Sequence, residues 1–137
     1  MSDESGRIVI DESEAPLYVV RFEGVPTDAQ FKAYLDHVLR ITQRGEMHAM
    51  VYDATLAGWI PPSQRRLQAD WMREHDQLNR DLTVCMSFVL PSPLLRGVLT
   101  AILWLQPMPC PHNVVSTLEA GLRFCRARLS EQSPTPP

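Results

Sequence analysis

The first candidates for chemistry in this chain are a carboxylate and two hydroxyl groups that follow one predicted strand. Asp53 ends the apolar run that begins at Met47, and Thr55 and Ser63 come after it. Open α/β folds place their binding sites at the carboxyl ends of parallel strands. We therefore consider Asp53, Thr55 and Ser63 as a ligand-binding site, with the capping of a local turn as the alternative role of Asp53.

The loop from Thr55 to Ser63 also carries the residue types that dominate protein interfaces. It contains Trp59, followed by Ile60 and two prolines that stiffen the backbone, and Arg65 and Arg66 come just after it. Tryptophan and arginine contribute much of the binding energy when an interface buries them. We predict that Trp59, Arg65 and Arg66 contact a protein partner. The alternative is that Trp59 folds back over the edge of the sheet.

No catalytic or metal-binding set is recognisable in the sequence. There is no nucleophile elbow of the Gly-x-Ser-x-Gly type and no glycine loop for phosphate. Cys110 and His112 are two residues apart, but a structural zinc site needs four ligands and no second pair has suitable spacing. We therefore predict that the protein is not an enzyme and that it holds no metal and no cofactor.

Composition limits the class of protein further. The chain has 137 residues, 45% of them hydrophobic and 21% charged, with a net charge of −3. This is the composition of one globular domain, and it lacks the basic field of a nucleic-acid-binding protein. Three cysteines with no signal peptide favour a reduced, cytoplasmic protein, and no apolar stretch is long enough to span a bilayer.

The elements that position these residues alternate between strands and helices. The predicted strands are Arg7 to Asp11, Leu17 to Phe22, Met47 to Asp53, Thr83 to Leu90 and a short one at Asn113 to Val115. Helices are predicted from a capping box at Thr27 to Gln30, from Ser63 as an N-cap, from Ser92 to about Leu105, and from a second capping box at Ser116 to Glu119. The third of these helices is apolar on nearly every side, so we expect it to be packed deeply.

This order predicts an α/β fold in a single layered domain. We expect a four- or five-stranded, mostly parallel sheet that is opened by a β-hairpin and covered by about four helices, with Thr83 to Leu90 near its centre. The domain is predicted to span residues 7–129. Residues 1–6 are predicted to be a flexible N-terminus and residues 130–137 a flexible, proline-rich tail.

Three features of this organisation resemble the STAS family of anti-sigma-factor-antagonist-like domains, and especially their SpoIIAA-like bacterial relatives. They are the opening hairpin, the strand Met50-Val51-Tyr52-Asp53, and the segment from Asn113 to Phe124, which resembles the family's last strand and helix. The resemblance extends over about Ile8 to Leu129. It implies a non-enzymatic signalling or interaction module of a bacterial cytoplasm, with a protein partner and with self-association as a further option.

One departure from the family concerns its phosphorylated serine. Antagonists of this family carry an Asp-Ser-Ser-Gly-like turn, whose serine receives a phosphate at the start of the helix after the strand. This chain has Ala54 to Ser63 in that place. Ser63 is then the hydroxyl best placed for a phosphate at a helix N-terminus. A plain helix cap is the alternative role of this residue.

A second function class stays open beside the interaction module. The fold that the resemblance implies is related to that of lipid-binding Sec14-type domains, and the third predicted helix is very apolar. The alternative is therefore a carrier domain for a small apolar ligand or lipid.

Overall fold

The computed structural model describes residues 6–132, and in this part of the chain it forms one five-stranded sheet in the order β1-β2-β3-β4-β5. The elements are β1 (Arg7–Glu14), β2 (Leu17–Gly24), α1 (Asp28–Thr42), β3 (His48–Ala57), α2 (Pro62–Glu74), α3 (Asp76–Leu82), β4 (Thr83–Val89), α4 (Pro93–Leu105), β5 (His112–Val115) and α5 (Leu118–Gln132). Strands β1 and β2 are antiparallel, and every later neighbour pairs in parallel. The predicted fold class is confirmed.

The layers follow from the alternation of side chains along the strands. Tyr18, Val20 and Met50 belong to the larger core, which packs under α1, α2 and α4. Their neighbours Val19 and Val51 face the other way and pack against α5. The central strands are covered on both faces, which explains their continuous apolar runs.

The centre of the sheet and the number of helices differ in detail from the prediction. β3 is the middle strand, and β4 lies beside it, between β3 and β5. There are five helices in the described part of the chain, because the helix predicted to begin at Ser63 divides at His75. The backbone leaves the helical region at His75, with φ −112° and ψ 24°, so α2 ends there and α3 begins at Asp76.

The two capping boxes predicted from the sequence can be compared with the observed helix caps. At α1 the predicted capping box is confirmed, since Thr27 Oγ1 accepts the Gln30 N–H and Gln30 Oε1 accepts the Thr27 N–H. At α5 the predicted box at Ser116 is wrong by one residue, because Thr117 Oγ1 accepts the Ala120 N–H. The hydroxyl of Ser116 instead accepts a 3.4 Å hydrogen bond from Arg96.

Helix α4 is less buried than its composition predicts. Only the stripe formed by Leu95, Val98 and Ile102 is buried, whereas Trp104 is 83% exposed and Leu94 is 61% exposed. The main backbone contacts of α4 are with α2 rather than with the sheet. The expectation of deep packing is therefore wrong, because an apolar sequence on all sides does not say how many sides the fold covers.

The structured part of the chain extends beyond the predicted domain at both ends. Gly6, in the N-terminal segment predicted to be flexible, is buried, and its N–H donates to the Val25 carbonyl at 3.1 Å. Helix α5 continues through Gln132, three residues beyond the predicted domain end. The rest of the two predicted flexible segments, residues 1–5 and 133–137, lies outside the described residues. None of the helices in residues 6–132 combines the length and the apolar character needed to cross a membrane.

Candidate functional site

The loop between β3 and α2 presents a tryptophan that is stacked with an arginine. Trp59 is 44% exposed. The guanidinium carbon of Arg65, in the first turn of α2, lies 5.0 Å from the centroid of the Trp59 ring. This separation is within the range of a cation–π interaction, which orients both side chains. The ring is therefore held in place while much of its surface remains accessible.

A shallow depression continues from this loop between α2 and α4. Its walls are Pro62, Arg65 and Arg66 on one side and Ala101 and Leu105 on the other. Leu105 is 40% exposed. We refer to Trp59 together with these five residues as the Trp59 surface. It combines apolar groups with two guanidinium groups, so it suits a partner that offers both an apolar side chain and a carboxylate.

Asp53 and Thr55 lie together, but their polar groups already have partners. Strand β3 does not end at Asp53 as predicted; it continues to Ala57. The Asp53 carboxylate accepts hydrogen bonds from the Thr55 N–H at 3.0 Å and from Thr55 Oγ1 at 2.5 Å. It also lies 3.7 Å from Arg21 Nε, and the residue is buried. A ligand at Asp53 would have to compete with these contacts.

Ser63 lies in a different hydrogen-bond group from Asp53 and Thr55. The predicted N-cap role is wrong, because α2 begins at Pro62 with Pro61 as its cap, and no side chain caps the helix. Ser63 Oγ is exposed and donates to Asp28 Oδ1 at 3.4 Å. The helix N-terminus favours a phosphate here, whereas the Asp28 carboxylate opposes it. Phosphorylation of Ser63 stays a prediction.

A second candidate site, which the sequence interpretation did not locate, lies inside the larger core. We call it the central cavity: an apolar space between the sheet and helices α1, α2 and α4, with an empty volume of about 820 Å³ that includes its open mouth. Phe22, Tyr52 and Phe88 line it from three neighbouring strands. Their rings form a row with centroid separations of 6.5 and 5.2 Å and interplanar angles of 28° and 11°. The available signal was an aromatic residue in each of the three predicted strands.

The few polar groups of the central cavity are uncharged. Tyr34 Oη donates to Gln68 Oε1 at 2.9 Å. Burial raises the pKa of Tyr34 well above its ordinary value and also raises the pKa of Tyr52, so both phenols stay protonated at neutral pH. The site therefore offers hydrogen-bonding groups without a charge.

Cys110 and His112, which the sequence offered as two metal ligands, both pack against apolar groups. Cys110 is half-buried against the larger core, and burial raises the pKa of its thiol to about 12. His112 begins β5, and its ring meets Phe88 edge to face at 6.2 Å. Within residues 6–132, no three His, Cys, Asp or Glu side chains are grouped so that they could hold a metal ion.

Comparison with known proteins identifies the fold. No family model matches the chain, and no curated protein matches it. Among solved structures, a crystal structure of an anti-sigma factor antagonist from Mycobacterium paratuberculosis matches with a TM-score of 0.58 and 14% identity, over 91% of this chain and 97% of that chain. An uncharacterised protein of the DUF3478 family with a SpoIIAA-like fold, from Shewanella loihica, matches with a TM-score of 0.64 and 12% identity, over 91% of this chain and 98% of that one. The chain thus has a SpoIIAA-like fold.

Proposed function

We propose that the protein is a non-enzymatic regulatory module that binds a protein partner through the Trp59 surface. The observation that carries the proposal is the exposed Trp59 ring, held 5.0 Å from the guanidinium carbon of Arg65 beside an apolar depression. A side chain that is held in place before binding loses less conformational entropy in the complex. The fold supports the regulatory role, since one protein with a similar structure is an anti-sigma factor antagonist.

The chemistry of the Trp59 surface defines the partner. Arg65 and Arg66 favour a carboxylate-bearing segment, and Leu105 with Trp59 favours an adjacent apolar side chain. We place this interaction in the bacterial cytoplasm. There the free thiols of Cys85, Cys110 and Cys125 stay reduced.

The test compares two tryptophans with different surroundings. Wild type, Trp59→Ala and Trp104→Ala are used to capture partners from the host, the captured protein is purified, and its affinity for each variant is measured by calorimetry. We expect Trp59→Ala to weaken binding at least tenfold while it lowers the free energy of unfolding by no more than about 0.5 to 1 kcal/mol, the contribution of the lost cation–π pair, and Trp104→Ala to bind like wild type. Equal affinity of Trp59→Ala and wild type would refute the assignment of this surface.

A further inference from the structure

The central cavity exists because a helix bridges over part of the sheet. Helix α4 packs mainly on α2. Its buried residues Val98 and Ile102 face the row of aromatic rings formed by Phe22, Tyr52 and Phe88, with the open space between them. Protein interiors are normally packed without voids much larger than one water molecule. A space of this kind within the main core therefore needs an occupant.

Water is a poor occupant of the central cavity. The part of the cavity in which the centre of a water molecule fits has a volume of about 100 Å³. One water needs about 10 to 15 Å³ of such volume, so the cavity would hold a cluster of several waters. Each buried water also needs two to four polar partners. The side chains that line the cavity offer mainly hydrocarbon and aromatic groups. Their polar members are Tyr34, Tyr52, Gln68 and the indole N–H of Trp71, which is buried without a hydrogen-bond partner. These groups can satisfy only a small part of such a water cluster.

We propose that the central cavity is a binding site for one small, uncharged and mainly hydrocarbon molecule with a hydrogen-bond acceptor, which would contact Gln68. The Gln68 carbonyl oxygen already accepts from Tyr34 Oη at 2.9 Å, so its amide nitrogen can donate to a ligand. The indole N–H of Trp71, which lines the cavity and has no hydrogen-bond partner, is a second donor. The aromatic row and the face of α4 supply the apolar contacts. This proposal is independent of the partner-binding role of the Trp59 surface.

The lining also determines which ligands are rejected. None of the described residues that line the central cavity is charged. A carboxylate or ammonium group placed there would lose its hydration without gaining an ionic partner. The phenols of Tyr34 and Tyr52 are buried and remain protonated, so they cannot compensate a cation. An alcohol, ketone or ester is therefore preferred over the acid of the same chain length.

The experiment uses N-phenyl-1-naphthylamine, an uncharged fluorescent probe of apolar sites. We expect its fluorescence to rise on binding to the full chain with a stoichiometry of one. Val98→Phe, which fills the cavity from α4, should weaken probe binding at least tenfold. Val114→Phe is the matched control, because Val114 is exposed on β5 and does not line the cavity. If Val98→Phe fails to fold, Ala57→Leu at the wall of the cavity replaces it.

Competition tests the charge preference. 1-Decanol should displace the probe at a concentration at least tenfold lower than decanoate does at neutral pH. The absence of probe binding by wild type, or equal binding by the folded cavity-filling variant and Val114→Phe, would overturn the site. Displacement by decanoate as effective as that by decanol would overturn the preference for an uncharged ligand.

Discussion

The guanidinium carbon of Arg65 lies 5.0 Å from the centroid of the Trp59 ring, whereas the adjacent Arg66 points away from the core as an exposed side chain. The pair joins the loop after β3 to the first turn of α2. Cation–π pairs at exposed sites contribute about 0.5 to 1 kcal/mol. The arrangement thus makes the two neighbouring arginines unequal in their effect on stability.

We therefore expect Arg65→Ala to lower the free energy of unfolding by about 0.5 to 1 kcal/mol. Arg66→Ala should change it by less than about 0.5 kcal/mol, as is usual for exposed positions. Chemical denaturation of the two variants measures the difference. Equal effects would show that the Trp59 stacking does not stabilise the loop.

Two tryptophans should respond very differently to truncation. Trp71 is 8% exposed and lines the central cavity, so Trp71→Ala enlarges a space that is already underpacked. We expect a loss of about 3 to 5 kcal/mol. Trp104 is 83% exposed, and Trp104→Ala should change stability by less than about 0.5 kcal/mol. A loss under about 1 kcal/mol for Trp71→Ala would contradict the packing of α2 against the sheet.

Helix α5 approaches the sheet closely at Gly121. A Cβ atom there would lie 3.0 Å from Ser87 Oγ and 3.3 Å from side-chain atoms of Val51 and Val89. Gly121→Ala should therefore destabilise the protein by about 1 to 3 kcal/mol. Gly97 is the matched control, because it lies in α4 with open space around it, and Gly97→Ala should stabilise by about 0.5 to 1 kcal/mol. Thermal melts of both variants test the opposite signs.

His48 should make stability depend on pH. Nδ1 lies 3.0 Å from the Glu46 carbonyl oxygen and donates to it, and burial lowers the pKa of the imidazole below its ordinary value of 6.5. The unfolded chain therefore takes up a proton at a higher pH than the folded chain does. The contribution of neutral His48 to the free energy of unfolding is therefore fully present above pH 6.5. It is lost as the pH falls from 6.5 through the lower pKa of the folded state.

The variant His48→Gln should show a flatter dependence of unfolding free energy on pH between pH 7 and 5 than wild type, as measured by denaturant titrations. His75→Gln serves as a control at the junction of α2 and α3. An unchanged slope in His48→Gln would assign the pH dependence to other groups.

A negative charge at Ser63 should interact unfavourably with Asp28, whose Oδ1 lies 3.4 Å from Ser63 Oγ. We expect Ser63→Asp to be less destabilising in the background Asp28→Asn than in wild type, with a coupling of about 0.5 kcal/mol. A double-mutant cycle measures this coupling. A coupling near zero would indicate that a phosphate at Ser63 meets no electrostatic opposition from α1.

The sequence by itself determined the order of elements and the class of fold. Alternating strands and helices, the opening hairpin and the capping box at Thr27 all depend on contacts within a few residues or on the period of the side chains. These local signals do not depend on what lies across the molecule.

Only the tertiary structure decided which apolar residues are covered and which polar groups meet. The side chain that caps α5 is Thr117 rather than the predicted Ser116, whose hydroxyl accepts a hydrogen bond from Arg96 on another helix. Phe22, Tyr52 and Phe88 are far apart in the chain and meet because β2, β3 and β4 are neighbours in the sheet. Tyr52 pairs directly with Phe88 and with Val20, two residues before Phe22. The central cavity depends on where α4 rests, which is set by its packing on α2. Long-range contacts of this kind leave no periodic signal in a single sequence, because each depends on the positions of several elements at once.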